Sequence, residues 1–145
     1  MNKKRILIKI LLIIIWMIII FLFSNQPNSS ASTKIVIGQV ITTATKTPIN
    51  NNHINIINFF IRKLAHITEY FILAILVINL IKEYTNKYKY IFIFTLFICF
   101  IYAITDEIHQ AFVFNRTSSI YDAFIDVIGV LIYLLIYKLT RKKVR

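Results

Sequence analysis

At 145 residues the chain has room for one domain, and its 58% hydrophobic against 16% charged side chains exclude an ordinary soluble globule, whose surface needs more polar cover. The net charge of +11 gathers at the chain ends and in one short loop beside long apolar runs. That placement is a membrane-topology signal, so no nucleic-acid partner is expected. With 2 glycines a phosphate-cradling Gly-rich loop is excluded, and with 1 cysteine no disulfide forms within the chain.

Lys3-Lys4-Arg5 precede the first apolar run, Ile6 to Phe23, which is broken only by Lys9. The run is longer than the hydrophobic core of a secretory signal, so it reads as an uncleaved anchor. Ser24 to Thr33, with Pro27, reads as irregular, and Lys34 to Ile41 as a short strand or an interfacial helix. Pro48 to His53, with three consecutive asparagines, reads as a turn-rich linker. Ile54 to Ile61 reads as an apolar lead-in lying along the membrane interface. Three further apolar runs follow, Leu64 to Ile81, Tyr90 to Thr105 and Ile120 to Tyr137. Each run is near the ~20 residues that a helix needs to cross a hydrocarbon core of ~30 Å. The expected fold is therefore all-α: one integral-membrane domain over 1–145, a four-helix bundle with a long extracytoplasmic loop after the first helix.

Lys and Arg set the expected orientation. The amino end, the loop with Lys82, Lys87 and Lys89, and the tail from Lys138 to Arg145 hold 12 of the 17 basic residues. All three fall on one side of a four-span chain, so both termini are expected in the cytoplasm. The Ile-, Asn- and Lys-rich usage suggests an AT-rich bacterial genome, hence a multi-pass protein of the bacterial plasma membrane. Trp16, Tyr84, Tyr88, Tyr90 and Tyr137 read as interfacial anchors and lipid-facing aromatics, and Cys99 as inert packing.

Ionisable groups inside spans are costly and mark functional sites by default. Three sets stand out. Arg62, His66 and Glu69 share a helical face that Lys63 and Tyr70 overlap; Tyr102, Asp106 and Gln110 repeat every four residues, with Glu107 beside them; Asp122, Asp126 and Gly129 line the fourth span. The expected topology brings all three to the outer leaflet, with five of the six acidic residues, all but Glu83. Arg116 falls on the same side. Pairing among these charges would hold a bundle together, but polar contacts between membrane helices contribute only about 0.6 kcal/mol each. A functional pocket is the stronger reading. One His among carboxylates is too little to name a metal ligand set, and no metal is assigned. His109, near the outer turn, fits a hydrogen-bonding interface residue equally well.

At these residues the sequence resembles the VanZ-like family of bacterial membrane proteins. The resemblance is carried by Phe23-Ser24-Asn25-Gln26, by Arg62-Lys63 with His66 and Glu69-Tyr70, and by Tyr102-Ala103 with Asp106-Glu107-Ile108-His109-Gln110. It continues through Arg116, Asp122, Asp126 and Gly129. Where the family usually has Pro-Gly-Arg, this chain has Phe114-Asn115-Arg116; Asn best replaces Gly in a left-handed turn. The resemblance implies a link to glycopeptide resistance of the teicoplanin type for one member, without a biochemical activity.

The leading expectation is a pocket for a cell-envelope ligand, lipid-linked or cell-wall in origin, on the outer side. Arg62, Lys63 and Arg116 would meet an anionic group, and Asp106, Glu107, Asp122 and Asp126 would orient amines or hydroxyls. His66, Glu69, Tyr70, Tyr102 and Gln110 complete the expected ligand-binding set. The alternative is an intramembrane enzyme acting on a lipid head group, with His66 and Glu69 or Asp106 and Glu107 as acid and base, and a divalent cation on the carboxylates as a variant. A through-membrane ion path ranks last, because the inner halves of the spans hold almost no polar residues. The bilayer is the one partner the sequence names; cofactor and oligomeric state are left open.

Overall fold

Spacing decides how the first helix packs. In α1 (Lys3–Ser24) the buried side chains are Ile6, Ile13, Ile20 and Ser24, a narrow stripe, since seven residues make nearly two turns. On its other sides Leu7, Ile15 and Leu22 are more than half exposed. The computed structural model describes residues 3–26, 29–45, 50–114 and 119–143. Within them α1 is followed by α2 (Ser29–Thr45), α3 (Asn51–Ile81), α4 (Tyr88–Ala111) and α5 (Ile120–Lys143). Among the described residues there is no strand.

Four of these helices, all but α2, are long and apolar enough to cross a membrane. They alternate in direction, as side-chain bonds at the two ends of the bundle record. At one end Lys9 of α1 bonds the Asn79 carbonyl (2.8 Å) and pairs with Glu83, just past α3. The Tyr88 ring at the start of α4 stacks on Tyr137 of α5. At the other end Ser24 of α1 meets Asp106 of α4. The centre is apolar, with Leu73, Ala74, Val77, Ile91, Cys99 and Leu134 almost fully buried. Large apolar side chains such as Phe97, Phe94 and Leu135 point outward, half exposed or more. Such a surface is consistent with a bilayer environment, since water-soluble monomers rarely expose large contiguous apolar patches.

Several expectations change here. Residues 29–33, read as irregular, are the first turns of α2, and Lys34 to Ile41 is helix and not strand. Nothing from 29 to 37 breaks a helix, and Ile37 is buried at 8% exposure, so α2 has a face to bury. The asparagine run starts a helix instead of making a turn: Asn50 caps α3, its side chain accepting from the Asn52 N–H (3.1 Å). Ile54 to Ile61 is continuous with the span in one helix of 31 residues. At ~1.5 Å per residue that is about 46 Å, more than a hydrocarbon core, so the first turns of α3 project past the bundle and carry α2. The segment expected as a long loop is thus largely helical. The third span is also longer than expected, since α4 runs on through Asp106, Glu107 and Gln110.

Three of the aromatics expected as interfacial anchors or lipid-facing side chains are half-buried and have partners on neighbouring helices. Trp16 donates its indole N–H to the Glu69 carbonyl (2.9 Å), and Tyr88 and Tyr137 stack with ring centroids 6.4 Å apart. Each finds a partner on a neighbouring helix that a single helix's pattern does not reveal. Tyr84 and Tyr90 are exposed, at 60% and 46%.

The Lys9–Glu83 pair makes a pH prediction. The hydrogen bond from Lys9 holds the Glu83 carboxyl below its ordinary 4.5. A depressed carboxyl contributes stability that is present above its unfolded value and lost as pH falls through the folded value. Thermal unfolding in detergent should therefore show wild type above Glu83→Gln at neutral pH, with the gap closing below pH 4.5. The gap should be small, as for any solvent-reached pair.

Candidate functional site

The polar residues gather where α1 and α4 end and α5 begins, and α3 places its share there because α3 and α5 run parallel and very close. The approach is set by Gly129: a Cβ there would lie 2.1 Å from the Ile67 carbonyl oxygen and 3.0 Å from the Phe71 nitrogen. Only glycine lets the backbones meet at this distance. One turn earlier on α5, Asp126 then comes against α3, its Oδ1 3.4 Å from His66 Nδ1. Another turn earlier, Asp122 pairs with Lys63 at 2.5 Å. Glu69 Oε2 lies 3.8 Å from the same His66 nitrogen. The imidazole therefore sits between two carboxylates, one from each helix.

Beside this cluster a small cleft of 180 Å³ opens, lined by Phe59, Arg62, Lys63, His66 and Asp122. Lys63 is committed to Asp122, whereas Arg62 has no ion pair among the described residues. Asp126 lies behind His66 at 1% exposure, and its Oδ2 has no hydrogen-bond partner among the described residues. A buried carboxylate oxygen left without a donor is costly, and Asp106 Oδ1 and Glu107 Oε1 on α4 share that condition.

The α4 residues make a second group with a different character. Asp106 Oδ2 accepts from Ser24 Oγ and from Gln110 Nε2, both at 2.8 Å, and Gln110 also reaches Ser24 Oγ at 3.2 Å. All three are at most 3% exposed. This closed triangle ties α1 to α4. Tyr102 donates to the Met17 carbonyl (2.6 Å), a second tie between the same helices. Glu107 Oε2 accepts from the Ser119 N–H (3.0 Å) just before α5, where the positive end of the helix dipole favours a carboxylate. His109 stacks on Phe21, centroids 4.2 Å apart.

Tyr70 lies between the groups. It is fully buried, its ring 6.2 Å from Tyr102, and its hydroxyl has no hydrogen-bond partner among the described residues. Of the twelve residues picked from the sequence, Arg62, Lys63, His66, Glu69, Asp122 and Asp126 come together around the cleft. Tyr102, Asp106, Glu107 and Gln110 hold helices to one another, and Arg116 lies outside the described residues. Sequence reasoning missed Ser24, Trp16, Ser119 and Phe59 as parts of this region. Ser24 had a signal, since it sits in the Phe-Ser-Asn-Gln motif as the small polar residue closing an apolar helix. A backbone donor such as Ser119 had none. Among the described residues no three His, Cys, Asp or Glu side chains are grouped so as to hold a metal ion.

The sequence pattern of the family described as VanZ/LLP1 matches residues 9–141, which takes in α3 and α4, most of α1 and α5, and every residue of both groups. No curated protein and no solved structure matches the chain.

Proposed function

The chain belongs to the VanZ-like family, and we propose that it is a multi-pass protein of the bacterial plasma membrane whose outer-leaflet cleft binds the phosphate-bearing head group of a cell-envelope lipid. The observation that carries this reading is Arg62, a cation without an ion pair among the described residues, on the lip of a cleft shared with Lys63 and His66. A guanidinium matches two phosphate oxygens at once. The basic residues at the two termini and after α3 favour cytoplasmic ends, which turns the cleft outward. A part in glycopeptide resistance is what the family name suggests, and capture of an envelope precursor is one physical route to it.

The test uses the protein in nanodiscs of zwitterionic lipid, titrated with a short-chain prenyl phosphate. Its one tryptophan, Trp16, is bonded to the Glu69 carbonyl and reports by fluorescence. Arg62→Ala should weaken binding by about tenfold to a hundredfold, the worth of a charge-assisted hydrogen bond, and Arg62→Lys should recover part of it. Equal affinity in all three proteins would remove the cleft from the reading.

A second reading, an intramembrane enzyme acting on that head group, is favoured by one observation: His66 Nδ1 faces Asp126 at 3.4 Å and Glu69 at 3.8 Å, an arrangement suited to moving a proton. Turnover of a radiolabelled envelope lipid by purified protein, abolished in His66→Ala, would favour it over simple capture.

A further inference from the structure

Above the cleft, α2 and the projecting turns of α3 enclose an open groove of 770 Å³. Its size falls within the range of small-molecule sites, and its chemistry differs from that of the cleft. Gln39 and Thr42 of α2 and Asn51 and Asn55 of α3 line it, with Lys34 and, among the described residues, no carboxylate. Amides and hydroxyls both donate and accept, and Ile35 and Ile54 add apolar surface between them, so the lining suits a neutral ligand that carries hydroxyls on a C–H framework. Packing does not demand the open space. A Cβ on Gly38, in the groove wall, would make an ordinary 3.5 Å contact with Ile54, so a bulkier α2 surface would fit there.

Groove and cleft lie on one face of one helix. Asn51, Asn55, Phe59, Arg62 and His66 follow each other at steps of four, four, three and four residues. Asn55 is therefore about 10 Å further out along α3 than Arg62, with Phe59, 55% exposed, between them. An aromatic face with its negative potential receives the C–H face of a sugar ring; the Lys63 ammonium stands 5.5 Å from the Phe59 centroid, so a sugar would share the ring with it. The order along α3 is anion site, aromatic platform, then hydroxyl-matching groove.

We propose that the ligand is a saccharide joined to lipid through phosphate, its phosphate at Arg62 and its sugar in the α2–α3 groove. This rests on the reading of the cleft as the phosphate site, and it adds the class of ligand. A lipid held by its phosphate at the membrane boundary presents its sugar away from the bilayer, in the direction in which α3 projects. A peptide substituent is the competing chemistry, but the groove offers no carboxylate to a peptide's amino groups.

The experiment compares two probes on the full chain in nanodiscs, a short-chain prenyl phosphate and the same prenyl phosphate carrying a disaccharide. Wild type should bind the disaccharide probe about tenfold more tightly, the worth of one or two net hydrogen bonds. The double variant Gln39→Ala/Asn55→Ala, at two exposed positions, should lose that preference and keep its affinity for the bare prenyl phosphate. Equal binding of both probes by wild type overturns the saccharide assignment and leaves the phosphate site standing. Binding of neither overturns both. A preference that survives the double variant also overturns it, by placing the sugar elsewhere.

Discussion

Gly129→Ala should part α3 from α5 and cost about 3 kcal/mol or more of stability, the largest effect expected from any single methyl group in this protein. The added carbon would start 2.1 Å from the Ile67 carbonyl oxygen and 3.0 Å from both the Ile67 carbonyl carbon and the Phe71 nitrogen. All three are backbone atoms of a helix, with no side-chain rotation to relieve the clash. The contact would have to open from 2.1 Å to at least 3.4 Å to become an ordinary one, and the packing of Ala123, Val130 and Leu134, all buried within 1%, would loosen along the seam. Replacing a mid-helix glycine by alanine gains roughly 0.5–1 kcal/mol in helix propensity, too little to offset that loss. The measurement is the unfolding midpoint in a detergent and denaturant series, with Gly38→Ala as control, since alanine meets only an ordinary contact there. A wild-type midpoint for Gly129→Ala would contradict the helix separation described above. Because Gly129 also brings Asp126 to His66, a partly folded Gly129→Ala protein should bind prenyl phosphate more weakly as well.

Much of this was legible in the sequence, and the boundary of what was legible is physical. The four helices long and apolar enough to cross a membrane were, because such a helix needs a continuous apolar run that is visible in one dimension. The Arg62, His66, Glu69 face and the Asp122, Asp126, Gly129 face were, because helical spacing is local. The pairing of Asp122 with Lys63 and of Asp126 with His66 was not, because it depends on α3 and α5 being parallel at the distance Gly129 allows. Nor were α2 and the length of α3. Apart from the four long helices, this part of the chain has mixed composition, and its helix is stabilised by tertiary burial of Ile37 more than by pattern. The division of the acids between two roles was hidden for the same reason. Asp106 and Asp126 look alike in sequence, each a carboxylate near the end of an apolar helix, and differ only in what the neighbouring helices bring to them.

That difference yields the second large effect, a dissociation between stability and binding. Asp106→Ala should lower stability by about 3 kcal/mol, because it strips the shared acceptor from two buried donors, Ser24 Oγ and Gln110 Nε2. Asp106→Asn should recover much of this, since its carbonyl can accept from both donors while its amide nitrogen takes the place of Oδ1, which has no hydrogen-bond partner among the described residues. Asp126→Asn should behave in the opposite way. Its Oδ2 has no hydrogen-bond partner among the described residues and its Oδ1 faces His66 alone, so a buried charge is exchanged for a neutral amide with few bonds to lose. Stability should hold or rise. Binding should fall by about tenfold, because the His66 ring on the cleft wall loses the carboxylate that orients it, a contribution of the size of one hydrogen bond to a charged group. Both quantities can be read on the same preparations, as an unfolding midpoint and a prenyl phosphate titration. The expected pattern is a lowered midpoint with affinity kept in the folded fraction for Asp106→Ala, and a kept midpoint with lowered affinity for Asp126→Asn. The reverse pattern would move the binding site from the α3–α5 seam to the α1–α4 triangle and make the cleft beside Arg62 a by-product of packing.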